Sequence, residues 1–156
     1  MRYVLDATVI RSGMQISGQD EWYTTQSVMN ELRKGRAAKD AGLLTDIYLK
    51  VLIPAKEGRA RVEAQAKQTG DIDRLSDTDL DVLALALELG ATIVSDDYSI
   101  QNVARAMKIE YISGVQSGIK EVYTWSLRCK GCGRFYENKI DNCPVCGSGL
   151  KTVRKK

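Results

Sequence analysis

Between Ser76 and Leu87 the chain reads Ser-Asp-Thr-Asp-Leu-Asp-Val-Leu-Ala-Leu-Ala-Leu, with Leu80, Leu83, Ala84 and Leu87 at helical spacing and the acids gathered at the start. This predicts a helix with one buried side, opened by a Ser76-x-x-Asp79 capping box in which Asp replaces the commoner Glu. At about 100° per residue, Asp77 and Asp81 share a face with Leu85 and Glu88, while Asp79 falls with Val82, Leu83 and Ala86 and projects toward the protein. Gly90 then precedes a continuous β-favouring run, 91–95, of the kind expected for an internal parallel strand, which ends abruptly in Asp96 and Asp97.

The same alternation of apolar runs and amphipathic stretches covers the preceding chain. Residues 1–5 predict a strand leading straight into Asp6, 7–10 a turn or short helix, 15–20 a loop and 22–24 a second strand. A helix capped by Ser27 is expected through Val28, Met29 and Leu32 to Arg33, a second helix over 36–49, a strand over 51–53 and a helix over 56–69. Beyond the acids, a helix opens at Tyr98 and an edge strand spans 110–112. Strands and helices in alternation, without an internal repeat, predict an α/β domain of three layers around a central, mostly parallel sheet. We place this domain at 1–118 and a smaller second unit at 119–156.

In such sheets, acids from distant segments converge outside the strand C-termini. Asp6, Glu31, Asp79 and Asp96 are the residues expected to meet there as a catalytic centre, able to hold one or two Mg²⁺ or Mn²⁺ ions. Adjacent side chains leave the backbone in different directions, so one of Asp96 and Asp97 is expected to be the direct ligand, with Asp96 favoured and Asp97, Asp77 and Ser99 as accessory candidates. Plainer roles exist for each. Asp6, Asp79 and Ser99 suit caps and turns, Glu31 a helix surface, and Asn102 a helix start. The chain contains no histidine, so hydrolysis would have to run through carboxylates and a cation, or through Lys, Tyr or Cys.

Charge and cysteines separate the second unit from the first. Of the net charge of +3, residues 128–156 contribute eight Lys/Arg against Glu137 and Asp141, whereas the preceding part is net acidic. A basic tail attracts polyanions, nucleic acid first. All four cysteines lie in it, as Cys129-x-x-Cys132 and Cys143-x-x-Cys146. Two such hooks predict one tetrahedral four-thiolate Zn²⁺ site, closed to water and therefore structural. Paired hooks, together with no signal-like or long apolar run, point to reducing cytoplasm and to no membrane. Arg128, Lys130, Arg134, Phe135, Tyr136, Lys139, Lys151, Arg154, Lys155 and Lys156 are the candidate nucleic-acid contacts. The cations would meet phosphates, and an exposed Phe135 or Tyr136 could stack on an unpaired base or else fill the small core.

Taken together, Asp6 after its strand, Glu31, Leu75-Ser-Asp-Thr-Asp79 and Val94-Ser-Asp-Asp-Tyr-Ser-Ile-Gln-Asn102 resemble a PIN-domain ribonuclease. With Gly118-Ile-Lys-Glu-Val122, Trp125 and the cysteine ribbon, nearly the whole chain resembles the archaeal Nob-type endonucleases that mature the 3′ end of small-subunit (16S) ribosomal RNA. The resemblance implies a divalent-metal-dependent endoribonuclease whose acids are Asp6, Glu31, Asp79 and Asp96. It also implies cleavage of precursor ribosomal RNA within a pre-ribosomal particle, near assembly-factor proteins, with 5′-phosphate and 3′-hydroxyl products. The alternatives are a toxin-like messenger-RNA endonuclease of the same fold and a non-catalytic RNA-binding assembly factor.

Overall fold

A computed structural model describes residues 1–14, 16, 18–34, 48–113 and 122–155. Five short apolar runs form one sheet: β1 (Arg2–Leu5), β2 (Glu21–Thr25), β3 (Leu49–Leu52), β4 (Thr92–Val94) and β5 (Tyr111–Ile112). Their order is β3-β2-β1-β4-β5 and all four pairings are parallel. Parallel neighbours require crossovers. The described helices are α1 (Ala7–Arg11), α2 (Gln26–Lys34), α3 (Lys56–Thr69), α4 (Asp77–Leu89) and α5 (Tyr98–Ala106). The chain winds outward from β1 to β3, then returns to the other side of β1 for β4 and β5. That reversal opens a crevice beyond the ends of β1 and β4, the place where doubly wound sheets bind ligands.

Leu5 pairs with Val94 in register, and the Asp6 N–H donates to the Val94 carbonyl at 3.2 Å. Asp6 and Ser95 therefore leave the sheet side by side. Beneath them Val4, Leu5, Ile93 and Val94 are buried with Val28, Leu32, Val62, Leu83, Ile100 and Val103. The α4 helix is apolar on more sides than its spacing predicts, since Val82, Leu83, Ala84, Leu85 and Ala86 are all buried. Leu85, expected on the face shared with the outer acids, is 2% exposed. The reason is that α4 packs against α2, α3 and α5 as well as the sheet.

Three expected boundaries shift. Thr25, not Ser27, caps α2, its Oγ1 accepting from Val28 N at 3.2 Å. The third strand is Leu49–Leu52, starting two residues and ending one residue before the expected run, whose last residue, Ile53, is 78% exposed. Of the helix expected over 36–49, residues 36–47 lie outside the described residues, and Leu49 belongs to β3. The expected unit boundary at 118 lies outside them too. Across the sheet, Glu21 accepts from Arg2 at 3.1 Å and Lys50 at 2.9 Å, joining three adjacent strands. Lys50, with Arg2, holds the Glu21 carboxyl down at about 2.

A second, antiparallel sheet follows: β6 (Trp125–Cys129), β7 (Phe135–Tyr136) and β8 (Leu150–Arg154), in the order β7-β6-β8. Its loops carry the cysteines.

Candidate active site

Asp6 is 3% exposed and would be costly to bury as an anion without donors. It has three. As the N-cap of α1 it accepts from Ala7 N at 2.5 Å through Oδ1, while Oδ2 accepts from Thr8 Oγ1 at 2.7 Å and Ser95 Oγ at 3.0 Å. Ser95 Oγ in turn accepts from Asp97 N at 3.1 Å, and the Ser95 carbonyl accepts from Gln101 Nε2 at 2.8 Å. One buried serine thus locks the ends of β1 and β4 together. Sequence reasoning missed Thr8 and Ser95; the available signal was a polar residue directly beside each strand-ending acid.

Asp79 closes the expected capping box. Its Oδ2 accepts from Ser76 N at 2.7 Å and Ser76 Oγ at 2.8 Å. Burial pushes its carboxyl above the ordinary range; the Ser76 hydrogen bonds pull it partly back, and the charges of Asp6 and Asp97 push it up again. Asp6 and Asp97 thus lie near enough for their charges to act on Asp79. Asp97 also caps α5, its Oδ1 accepting from Ser99 N at 2.7 Å and Ile100 N at 3.4 Å. Asp96 faces the other way, toward β5, where its Oδ1 accepts from Ser113 Oγ at 2.5 Å. Ser99 enters this cap through its backbone N–H.

Glu31 lies on α2, and Arg11 from the end of α1 donates to its Oε1 at 2.6 Å. Arg11 is a third residue that the sequence did not single out. Asp77 and Asp81 are taken by Arg59 of α3, which donates to Asp77 Oδ1 and, at 2.6 Å, to Asp81 Oδ1; Ser27 Oγ adds a bond to Asp81 Oδ2 at 2.7 Å. These two acids fasten α4 to α3, and Asp81 fastens it to α2 as well.

Among the described residues, the cysteines are the one group of three or more His, Cys, Asp or Glu side chains whose donor atoms all lie within 4.8 Å of each other. The acids stand wider apart, as an open funnel of carboxylates. Hard oxygen donors, among them an Asp79 carboxyl pushed up by burial and then by its acidic neighbours, fit a hard divalent cation such as Mg²⁺ or Mn²⁺.

The cysteine quartet is tighter. Cys129 Sγ lies 3.4 Å from Cys146 Sγ and Cys132 Sγ lies 3.6 Å from Cys143 Sγ. Bonds of about 2.3 Å to a tetrahedral zinc imply sulfur separations of about 3.8 Å, so the four thiols are gathered at the scale of a metal site. Gly131 N donates to Cys129 Sγ at 3.3 Å, and hydrogen bonds from Ser148 bring the Cys146 thiol down to about 6. Tyr136 serves this site: its hydroxyl lies 3.0 Å from Cys143 Sγ, and that contact pushes the phenol up to about 12. The quartet can chelate a metal in the manner of a zinc ribbon, with no protein position left open for chemistry.

Beside it, Arg128, Phe135, Tyr136, Glu137, Val153, Arg154 and Lys155 line a groove of ≈ 780 Å³. Phe135 is 60% exposed, with the Arg128 guanidinium 5.5 Å from its ring centre. Lys130, Arg134 and Lys151 are exposed nearby. Lys139 instead approaches Asp73 of the first unit at 3.9 Å. Lys156 lies outside the described residues.

A parallel α/β sheet with buried Asp6 and half-buried Asp79 and Asp97 at its switch point, joined to a cysteine ribbon, points to a nuclease-like class of protein. The chain matches the family model described as the PIN domain of ribonuclease over residues 3–89, and a PINc-domain ribonuclease model over 59–122. It is 39% identical over 160 residues to the endoribonuclease Nob1 of Pyrococcus abyssi, covering all of this chain and 96% of that protein. It is 36% identical over 151 residues to the ribonuclease VapC1 of Thermoplasma acidophilum, covering 97% and 77%. The solved structure of VapBC-1 from nontypeable Haemophilus influenzae shares the fold at a TM-score of 0.53 and 18% identity, over 72% of this chain and 98% of that one. The chain belongs to the PIN-domain ribonucleases. No described helix is long and apolar enough to cross a membrane.

Proposed function

We propose that this ribonuclease cuts internal phosphodiesters of RNA at the acid funnel, using Mg²⁺ or Mn²⁺ held by Asp6, Asp79 and Asp97 together with Glu31. The observation that carries this reading is geometric: buried Asp6 leaves β1 beside the end of β4, bonded to Ser95, and Asp97 caps α5 two residues further on, with half-buried Asp79 of α4 close enough to feel both charges. A bound divalent cation supplies water activation near neutral pH and offsets charge on the phosphoryl oxygens. The chain supplies geometry. Thr8 and Ser95 fix one oxygen of Asp6, Ser76 fixes Asp79, and Arg11 holds Glu31 toward α1. Asp97 takes the place given to Asp96 in the sequence expectation, because Asp96 is engaged by Ser113.

The substrate we propose is precursor small-subunit ribosomal RNA near its mature 3′ end, within an assembling particle. Supporting this finer reading are the end-to-end likeness to Nob1 endoribonucleases and a ribbon whose groove pairs exposed Phe135 with Arg128 amid further cations. Such a surface suits unpaired RNA, with bases on the ring and phosphates on the cations.

The assignment of the acids is tested by adding Mn²⁺ to the metal-stripped, zinc-reloaded chain with a labelled single-stranded RNA. Asp79→Asn and Asp97→Asn should each lose more than about 100-fold in rate, beyond the 10- to 100-fold typical of outer-shell losses, and Asp96→Asn less than about tenfold. Loss in Asp96→Asn with retention in Asp97→Asn would return the role to Asp96.

A further inference from the structure

Asn102 is buried at 2% exposure on the second turn of α5, and its carboxamide makes three hydrogen bonds. Nδ2 donates to Asp71 Oδ2 at 2.6 Å and to the Tyr123 carbonyl at 2.7 Å, while Oδ1 accepts from Tyr123 N at 2.6 Å. A side-chain amide that takes both the N–H and the C=O of one residue imitates a neighbouring strand, fixing position and direction together. Tyr123 is the lead-in to the ribbon, two residues before β6.

Other contacts close around this pairing. Gly70 caps α3 in the left-handed conformation at φ +80°, and a Cβ there would stand 2.5 Å from the Trp125 carbonyl oxygen. The Arg74 guanidinium lies 3.9 Å from the centre of the Trp125 indole, within cation–π range. The turn after α3 therefore receives the first residue of β6 backbone against backbone. Meanwhile α5 begins at Asp97, and Gln101, next to Asn102, holds the Ser95 carbonyl. One helix thus anchors the acid funnel at its first turn and the ribbon at its second.

We infer that Asn102 is a positioning residue that sets where on a bound RNA the cut falls, by holding the ribbon's basic groove at one distance and angle from the acids. The inference rests on the nuclease reading above. A ribbon joined only by its connecting chain would present RNA over a range of positions, and part of the gain from two sites acting together would go with it.

The test compares the full, zinc-loaded chain with Asn102→Ala, in Mn²⁺, on a short unstructured RNA and on a long precursor-type RNA. On the short RNA the two should cut at rates within about twofold, since the acids are untouched. On the long RNA the unmodified chain should give one product boundary. Asn102→Ala should spread cuts over neighbouring phosphodiesters and raise KM by about tenfold or more as effective concentration falls. In parallel, ¹⁵N relaxation should show both sheets tumbling as one body in the unmodified chain and a faster ribbon in the variant. Tyr123→Pro removes the same N–H from the ribbon side without altering α5, and should reproduce these changes if Asn102→Ala disturbs folding. Unchanged relaxation in both variants would overturn the joint; changed relaxation with an unchanged single cut would overturn the role in placement. If the unmodified chain cuts neither RNA, the nuclease reading and the placement role fail together, while relaxation still decides the joint.

Discussion

Ser95 is fully buried and joins three functional segments with one hydroxyl and one carbonyl: Asp6, the backbone of Asp97 and, through Gln101, the α5 helix. Outer groups that orient metal-binding carboxylates typically matter by 10- to 100-fold. Ser95→Ala should therefore weaken Mn²⁺ binding by about that factor while the fold persists, as read by Mn²⁺ titration followed by EPR. Binding equal to the unmodified chain would show that Asp6 does not need this partner. At this scale some of the placement was legible in the sequence. Asp6 after its strand and the Ser76–Asp79 box follow from local pattern, whereas the choice between Asp96 and Asp97 depends on β5 bringing Ser113 to one side. That pairing joins residues far apart in the chain, and no periodicity encodes it.

Among the elements, α4 is the one most enclosed. Leu83 has no exposed surface, and Leu83→Ala should cost about 2–5 kcal/mol in denaturant unfolding, the range for truncated core leucines. The helix was predictable from its spacing; its burial on nearly every side was not, because that depends on three helices meeting it. Its outer acids illustrate the same limit, since Asp77 and Asp81 find Arg59 on a different helix. The Arg2–Glu21–Lys50 triad gives a pH signature for the β1-β2-β3 half of the sheet. Glu21 has a folded pKa of about 2, below its ordinary value of 4.5. The stability it contributes is therefore complete above the unfolded value and is lost as pH falls through the folded one. Glu21→Gln should lower the melting temperature slightly at neutral pH, with the difference shrinking from about pH 4.5 toward about pH 2 and with added salt. A difference that persists at the acid end would assign it to packing instead of charge.

For the molecule as a whole, the order β3-β2-β1-β4-β5 creates the crevice, and the ribbon packs against the turn after α3 and the second turn of α5. The alternating pattern announced a parallel α/β sheet and the cysteine hooks announced the ribbon. Their junction was unreadable, because no spacing or periodicity links Asn102, Gly70 and Trp125, which acquire a joint role only when brought together. A small three-stranded sheet with few buried apolar residues should depend on its metal. Stripping the zinc should collapse the amide dispersion of residues 125–155 in an NMR spectrum, leave the parallel sheet folded and weaken RNA binding. A ribbon that keeps its spectrum without metal would contradict this dependence.

The most direct measurement gives the zinc-loaded chain Mn²⁺ and a small-subunit precursor RNA spanning the mature 3′ end, and maps products beside an Asp79→Asn control. The expected result is one metal-dependent cut at the mature end, with a 5′-phosphate on the downstream product and no cut by the control. Intact RNA from a folded, RNA-binding protein, or equal cutting by the control, would contradict a catalytic centre built on these acids.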